Sequence, residues 1–146
     1  MGDADALSRP AYPGASRSLG DELLLPSVIY APALTAMRKK MGEGLRAAAH
    51  ITGGGIMGNV VRVVPPTRDA VIHLDAFETP EIFFEIQRRG QVGADEMVRV
   101  FNCGLGMVAV VDADDTDTAV EVAREHGLSA SVIGNIRSGS GSVVLT

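Results

Sequence analysis

His50-Ile51-Thr52-Gly53-Gly54-Gly55-Ile56-Met57-Gly58-Asn59-Val60-Val61-Arg62-Val63-Val64-Pro65 decides how this chain is read. Three consecutive glycines cost conformational entropy and admit backbone angles and close approaches that a side chain forbids. Residues 45–51 before them can run as a strand. Ile56, Val60, Val63 and Val64 after them recur at helical spacing until Pro65-Pro66 stops the helix. Strand, glycine turn and helix start in that order bring free backbone N–H groups and the positive end of a helix dipole to one point, an arrangement that favours an anion. A phosphate is the predicted ligand. The bland alternative is a tight turn that binds nothing. The spacing matches neither a dinucleotide fingerprint nor a Walker loop: no acidic residue falls cleanly on the next strand, and no Gly-Lys-Ser/Thr occurs.

Outward from the turn, strand and helix signals alternate. A short strand is predicted at residues 28–30, and a helix from Pro32 to Met41 with Pro in its first turn and Gly42 and Gly44 ending it. Beyond Pro66, residues 70–75 read as a strand. Thr79 reads as the cap of a helix with Pro80 at its first position and Gly90 closing it. Residues 94–100 form a short helix, 105–111 an apolar strand, 116–126 a helix ended by Gly127, and 130–136 and 143–145 two last strands. Residues 1–18 read as a flexible lead or linker without periodicity, and residues 19–146 as one domain. The fold class is α/β (α+β), with helices that carry one apolar face each packed on a mixed sheet.

Bulk properties narrow the function. The 146 residues suffice for one domain with a core. A hydrophobic share of 46% with 21% charged residues describes a globular chain. The net charge of −5, with no Lys/Arg stripe and few aromatic residues, argues against nucleic acid as a partner. No apolar run approaches a membrane span, and the acidic N-terminus has no signal-peptide core. The single cysteine, Cys103, excludes an internal disulfide and suits a reducing compartment, so a cytoplasmic location is expected.

Several polar residues fall where chemistry can occur. His50 enters the glycine turn and is a candidate donor to an anion or a substrate carbonyl, or simply a packed or surface histidine. Thr52 can offer its hydroxyl to the same anion. Asn59 either reaches the pocket or faces solvent. In Phe101-Asn102-Cys103-Gly104-Leu105-Gly106-Met107, the glycines mark a bulge or close backbone contact, and Asn102 is the polar residue suited to a ligand. The bland reading of this stretch is a strand edge packed on a helix. Cys103 has no base nearby in sequence and reads as a buried free thiol. Asp75 more often caps a loop than meets a ligand. The acidic run Asp112, Asp114, Asp115 and Asp117 lacks the pattern of a calcium loop, so no metal site is predicted there. Arg88-Arg89 and Arg38-Lys39-Lys40 are solvated charges at helix C-termini.

Together these stretches resemble one family. Leu19-Gly20-Asp21-Glu22-Leu23-Leu24-Leu25-Pro26-Ser27-Val28-Ile29-Tyr30, His50-Ile51-Thr52-Gly53-Gly54-Gly55 with Asn59 and Arg62, residues 101–107, and Val132-Ile133-Gly134 follow the order of the C-terminal half of aminoimidazole ribonucleotide synthase, also called phosphoribosylformylglycinamidine cyclo-ligase. The resemblance covers residues 19–137. It implies a three-layer α/β/α domain that faces an N-terminal ATP-binding domain across a cleft. The implied reaction is ATP-dependent closure of the imidazole ring of formylglycinamidine ribonucleotide in de novo purine biosynthesis. Carried over, Gly53, Gly54 and Gly55 hold the ribonucleotide phosphate, His50 (as a catalytic residue) and Thr52 line the cleft, and Asn59 and Asn102 lie at the substrate. ATP and Mg2+ are expected mainly on the N-terminal domain, which has no counterpart in these 146 residues. The resemblance therefore implies a homodimeric ligase whose C-terminal domain is inactive alone. The competing reading is a stand-alone module that binds a phosphorylated ligand or another protein.

Overall fold

Ile51, Ile56, Val60 and Val122 are the largest side chains fully withdrawn from solvent, and they belong to two separate cores. The computed structural model describes residues 4–146. Its strands are β1 (Leu45–His50), β2 (Arg68–Ile72), β3 (Met107–Val111), β4 (Gly134–Ser138) and β5 (Val143–Leu145). Its helices are α1 (Leu19–Leu23), α2 (Ala31–Met41), α3 (Gly55–Val60), α4 (Glu81–Gly90), α5 (Ala94–Val100) and α6 (Thr116–Glu125). The expected mixed sheet is present as β4-β2-β5, antiparallel between β2 and β4 and parallel between β2 and β5. β1 and β3 pair antiparallel as a second, two-stranded sheet.

The two-stranded sheet separates the cores. Val108 and its partner Ala49 join Ile51, Ile56, Val60, Ala70, Ile72 and Val143 in a core that β1 and β3 share with α3 and the three-stranded sheet. Ala109 and Val111 face the opposite way, onto Met37 of α2 and Ala119, Val122 and Ala123 of α6. Strand residues normally alternate faces, yet Leu45 and Ala49, four apart, fall in different cores. The cause is a register shift between Leu45 and Ala47, where Arg46 is the unpaired extra residue. This bulge turns Leu45 onto the helix side opposite Val111. Arg46 is tied down by two hydrogen bonds to Asp112, 2.8 Å from Nε and 2.7 Å from Nη2.

Several boundaries move from their sequence reading. Residues 28–30 form no strand: Val28 and Ile29 are exposed, and Tyr30 is the N-cap of α2. A three-residue apolar run has strand character, but among the described residues its backbone pairs with no strand. Thr79 does not cap α4. Pro80 takes that position, and its carbonyl accepts from Phe83 N–H at 3.0 Å. The predicted strand at 130–136 is displaced to β4, because Gly134 to Ser138 are the residues set opposite Ile72 to Arg68. β2 ends at Ile72, so Asp75 lies in a 3-10 turn over Leu74–Ala76.

Residues 4–18 carry local structure. A 3-10 turn covers Ala4–Ser8, Pro10 and Ser18 form an isolated bridge, and Ala11 is wholly buried. Beneath them Glu85 of α4 is 6% exposed and ion-paired with Arg88 and Arg89. The Arg88 hydrogen bond, followed by that of Arg89, holds the Glu85 carboxyl below the usual carboxylate range against the opposing effect of burial. Asp69 is held low in the same sense by the backbone N–H groups of Ser140 and Ser142, 2.8 and 3.0 Å away, which fix the loop between β4 and β5.

Two outcomes are expected. Ile56→Ala should destabilise the chain by about 2–5 kcal/mol in urea unfolding, the range for truncating a buried aliphatic side chain. A carboxylate whose folded value is depressed stabilises the protein above its unfolded value, near 4, and that contribution is lost as pH falls through the folded value. The unfolding midpoint should therefore drop on acidification below about pH 4, and Glu85→Gln should make that acid limb shallower. An unchanged acid limb in the variant would show that Glu85 takes up no excess proton on unfolding.

Candidate functional site

The glycine turn leaves β1 at the end where β1 meets β3. Ile51 N–H donates to Gly106 O at 3.0 Å, which continues the pairing one step past His50–Met107 and brings the 101–107 stretch beside the turn. Thr52, Gly53 and Gly54 are exposed, whereas Gly55 and Asn59 are buried. The three glycines serve different needs. Gly53 lies in open space, where a Cβ would meet nothing within 4 Å. Gly54, with φ +98°, is the left-handed N-cap of α3. Gly55, with φ +61°, packs so closely on α5 that a Cβ would strike the Val98 carbonyl and the Arg99 backbone. A side chain at Gly55 is thus excluded both by backbone strain and by contact.

The turn is closed from inside. Gly55 N–H donates to Thr52 O at 3.1 Å, and Gly58 N–H donates to Gly54 O at 3.1 Å. Asn59 Nδ2 donates to Gly55 O at 2.7 Å, Thr52 O at 3.2 Å and Gly53 O at 3.4 Å. The Thr52 hydroxyl donates to Asn59 Oδ1 at 3.4 Å. Among the described residues, the N–H groups of Gly53 and Gly54 meet no acceptor. The exposed rim of the turn therefore offers donors, while the carbonyls of Thr52, Gly53 and Gly55 are occupied by Asn59. That polarity suits an anionic group.

Asn102 stabilises the neighbouring turn. Its Oδ1 accepts from Gly104 N–H at 3.1 Å, and its carbonyl accepts from Leu105 N–H at 2.9 Å. Cys103 within that turn has φ +49°, and Gly104 has φ +96° against the ring of Pro80 and the Glu78 carbonyl. The Cys103 thiol is buried 3.7 Å from Met97 O, and desolvation pushes its pKa up. A thiol so placed is a poor nucleophile, in line with its reading as a buried free cysteine. His50 is exposed beside Tyr30, with ring centroids 6.0 Å apart and planes at 60°. Tyr30 is the site neighbour that sequence reasoning missed. Its hydroxyl sits where a Cβ of Gly106 would otherwise be, and burial raises its pKa. No sequence signal joined Tyr30 to residues 76 positions away, beyond the glycine that makes room for it.

The structure thus brings Thr52, Gly53, Gly54, Gly55 and Asn59 together in one turn. His50 flanks it on the strand, and Asn102 lies in the adjoining turn, its side chain engaged within that turn. Asp75 and the acidic run at 112–117 lie on other segments. Among the described residues no group of three or more His, Cys, Asp or Glu side chains could hold a metal ion. No helix is long and apolar enough to cross a membrane among them.

A mixed α/β domain of this kind occurs in a solved HypE–HypF complex, which aligns with a TM-score of 0.60 over 88% of this chain and 43% of that one, at 19% identity. That likeness concerns the fold. The family follows from the sequence: the model for "AIR synthase related protein, C-terminal domain" matches residues 2–146, and this chain belongs to that family. Similar curated proteins are named phosphoribosylformylglycinamidine cyclo-ligase. The one from Alkaliphilus metalliredigens is 40% identical over 90% of this chain, and the one from Caldicellulosiruptor saccharolyticus 42% over 92%. The chloroplastic one from Arabidopsis thaliana is 41% identical over 91%. The chain spans 38%, 39% and 34% of their respective lengths.

The three glycines predict unequal tolerance. Gly55→Ala should lose about 1–3 kcal/mol or more of stability from the left-handed backbone and the contact with α5. Gly53→Ala should unfold within about 0.5 kcal/mol of the parent, as surface changes usually do. Thermal unfolding of both variants distinguishes this from a turn in which all three positions are equivalent.

Proposed function

We propose that this chain is the ribonucleotide-facing C-terminal domain of a phosphoribosylformylglycinamidine cyclo-ligase. In this reading it takes part in ATP-dependent ring closure of formylglycinamidine ribonucleotide to aminoimidazole ribonucleotide in purine biosynthesis. The observation that carries the reading is 40–42% identity to proteins of that name across about nine tenths of this chain. The exposed N–H groups of Gly53 and Gly54 hold the phosphate of the ribonucleotide, and the exposed Thr52 side chain, its hydroxyl turned to Asn59, lines the cleft beside them. His50 lies on the strand that enters the turn, exposed to the cleft, where its ring can hydrogen-bond a substrate oxygen. Asn102 shapes the turn at the rim.

The residues of this chain do not fit ATP and Mg2+ by themselves. Among the described residues no carboxylate or histidine cluster suits the metal, and no lysine follows the glycines to meet a triphosphate. The reading therefore assigns both to the N-terminal domain of the longer relatives, in a homodimeric cytoplasmic enzyme. The segment between α1 and α2 supports such a partner. Leu23, Leu24, Leu25, Val28 and Ile29 are all exposed, Leu24 by 81%, and clustered exposed apolar residues of this kind mark an interaction face.

The test is formation of aminoimidazole ribonucleotide from formylglycinamidine ribonucleotide, ATP and Mg2+ by this chain, alone and mixed with a separately folded N-terminal domain of a relative. Turnover in the mixture alone is the expected result. Gly53→Val, which keeps an open backbone position but places a side chain on the rim, should reduce that turnover by at least about tenfold. A mixture that is inactive, with both partners folded, would overturn the reading in favour of a stand-alone binding module.

A further inference from the structure

We propose that Asn59 is a positioning residue, which acts beneath the ligand surface by holding the Thr52–Gly55 turn in its anion-accepting form. The inference rests on the reading of that turn as the phosphate site, and it moves Asn59 from the ligand to the layer under it. Its side chain is 3% exposed, inside the turn that its own backbone follows. Its amide donates to Gly55 O, Thr52 O and Gly53 O at 2.7, 3.2 and 3.4 Å, and its Oδ1 accepts from the Thr52 hydroxyl at 3.4 Å. Three carbonyls around one atom fix the orientation of the amide, since an oxygen there would face three acceptors. The two amide hydrogens are divided among those carbonyls, and no buried side-chain polar atom in the described residues lacks a partner.

This side chain is difficult to replace. Asp keeps the shape and removes both donors, so a carboxylate would sit among three carbonyl oxygens. Leu leaves Gly53 O without a donor and takes the amide away from Thr52 O and Gly55 O. Gln adds a methylene to a side chain that is already buried within the turn. With the amide in place, the carbonyls of the turn are engaged and the Gly53 and Gly54 N–H groups remain available. Without it, nothing else among the described residues donates to Thr52 O other than Gly55 N–H, and nothing donates to Gly53 O.

The experiment compares the full chain with Asn59→Asp in two measurements: affinity for formylglycinamidine ribonucleotide by calorimetry between pH 5 and 8, and amide hydrogen exchange without ligand. A protonated Asp regains one donor. Relative to the parent at each pH, N59D should bind at least about tenfold more weakly near neutrality and recover as pH falls. Exchange of the Gly55 and Gly58 amides, which close the turn, should speed up, while the β1–β3 ladder stays protected. Equal affinity overturns the proposal. A loss of affinity that persists at low pH, with Gly55 and Gly58 exchange as in the parent, also overturns it and makes Asn59 a direct ligand. If the parent itself fails to bind, the phosphate reading falls, and exchange alone then decides: faster exchange at Gly55 and Gly58 retains Asn59 as the organiser of the turn, and unchanged exchange removes it. Should N59D not fold, Asn59→Ser, with one hydroxyl in place of the amide, is carried through the same two measurements.

Discussion

Backbone meets backbone where Gly55 lies on the carbonyls of Val98 and Arg99, and the site depends on that contact. It leaves no room for a Cβ, so α3 can approach α5 more closely than side chains would allow. The consequence runs in both directions along the chain. Toward the N-terminus, the close approach sets where the turn leaves β1. Toward the C-terminus, α5 carries the Asn102–Gly104 turn, which the Cys103 thiol and Met97 carbonyl join to the helix. Ile51 N–H and Gly106 O then bind the two stretches together across the sheet. Two turns separated by about a third of the chain are thereby held as one surface.

The polar groups of that surface are divided between two tasks. Asn59 and Asn102 both spend their side chains on the backbone of their own turns. Thr52 joins Asn59 in doing so, yet remains exposed. What is left toward solvent is a set of backbone donors with His50 and Tyr30 on the neighbouring strand and helix. A site made of main-chain N–H groups carries little charge of its own, and it sits in a chain of net charge −5. The price of the arrangement is conformational: three left-handed glycines, Gly54, Gly55 and Gly104, and the left-handed Cys103 sit within the two turns.

The two sheets give this surface its support. The bulge at Arg46 lets one short strand serve two cores, with Ala49 on one side and Leu45 on the other. Its neighbour β3 does the same by simple alternation. The α2–α6 layer and the β4-β2-β5 sheet are therefore both anchored to β1 and β3, and the end of β1 is where the glycine turn begins. The exposed apolar segment between α1 and α2 lies outside both cores.

Local signals determined much of this protein. The glycine triplet, the helical recurrence after it, the apolar run of β3, and the Gly and Pro residues that bound α2 and α4 are properties of neighbouring residues, and each leaves a mark in sequence. The family was legible for the same reason, because each of the stretches that carry the resemblance is a run of neighbouring residues. Pairing was not. Residues 28–30 have strand composition but pair with no strand among the described residues, β4 starts at Gly134 because β2 sets its register, and the alternation of β1 is broken by a bulge that only β3 reveals. Asn59 was legible as a polar residue four positions past Gly55. Its direction was not, since a helical asparagine points inward or outward according to what packs over it. Tertiary packing made that choice, because burial obliges an amide to find partners and the carbonyls of the glycine turn are the partners within reach.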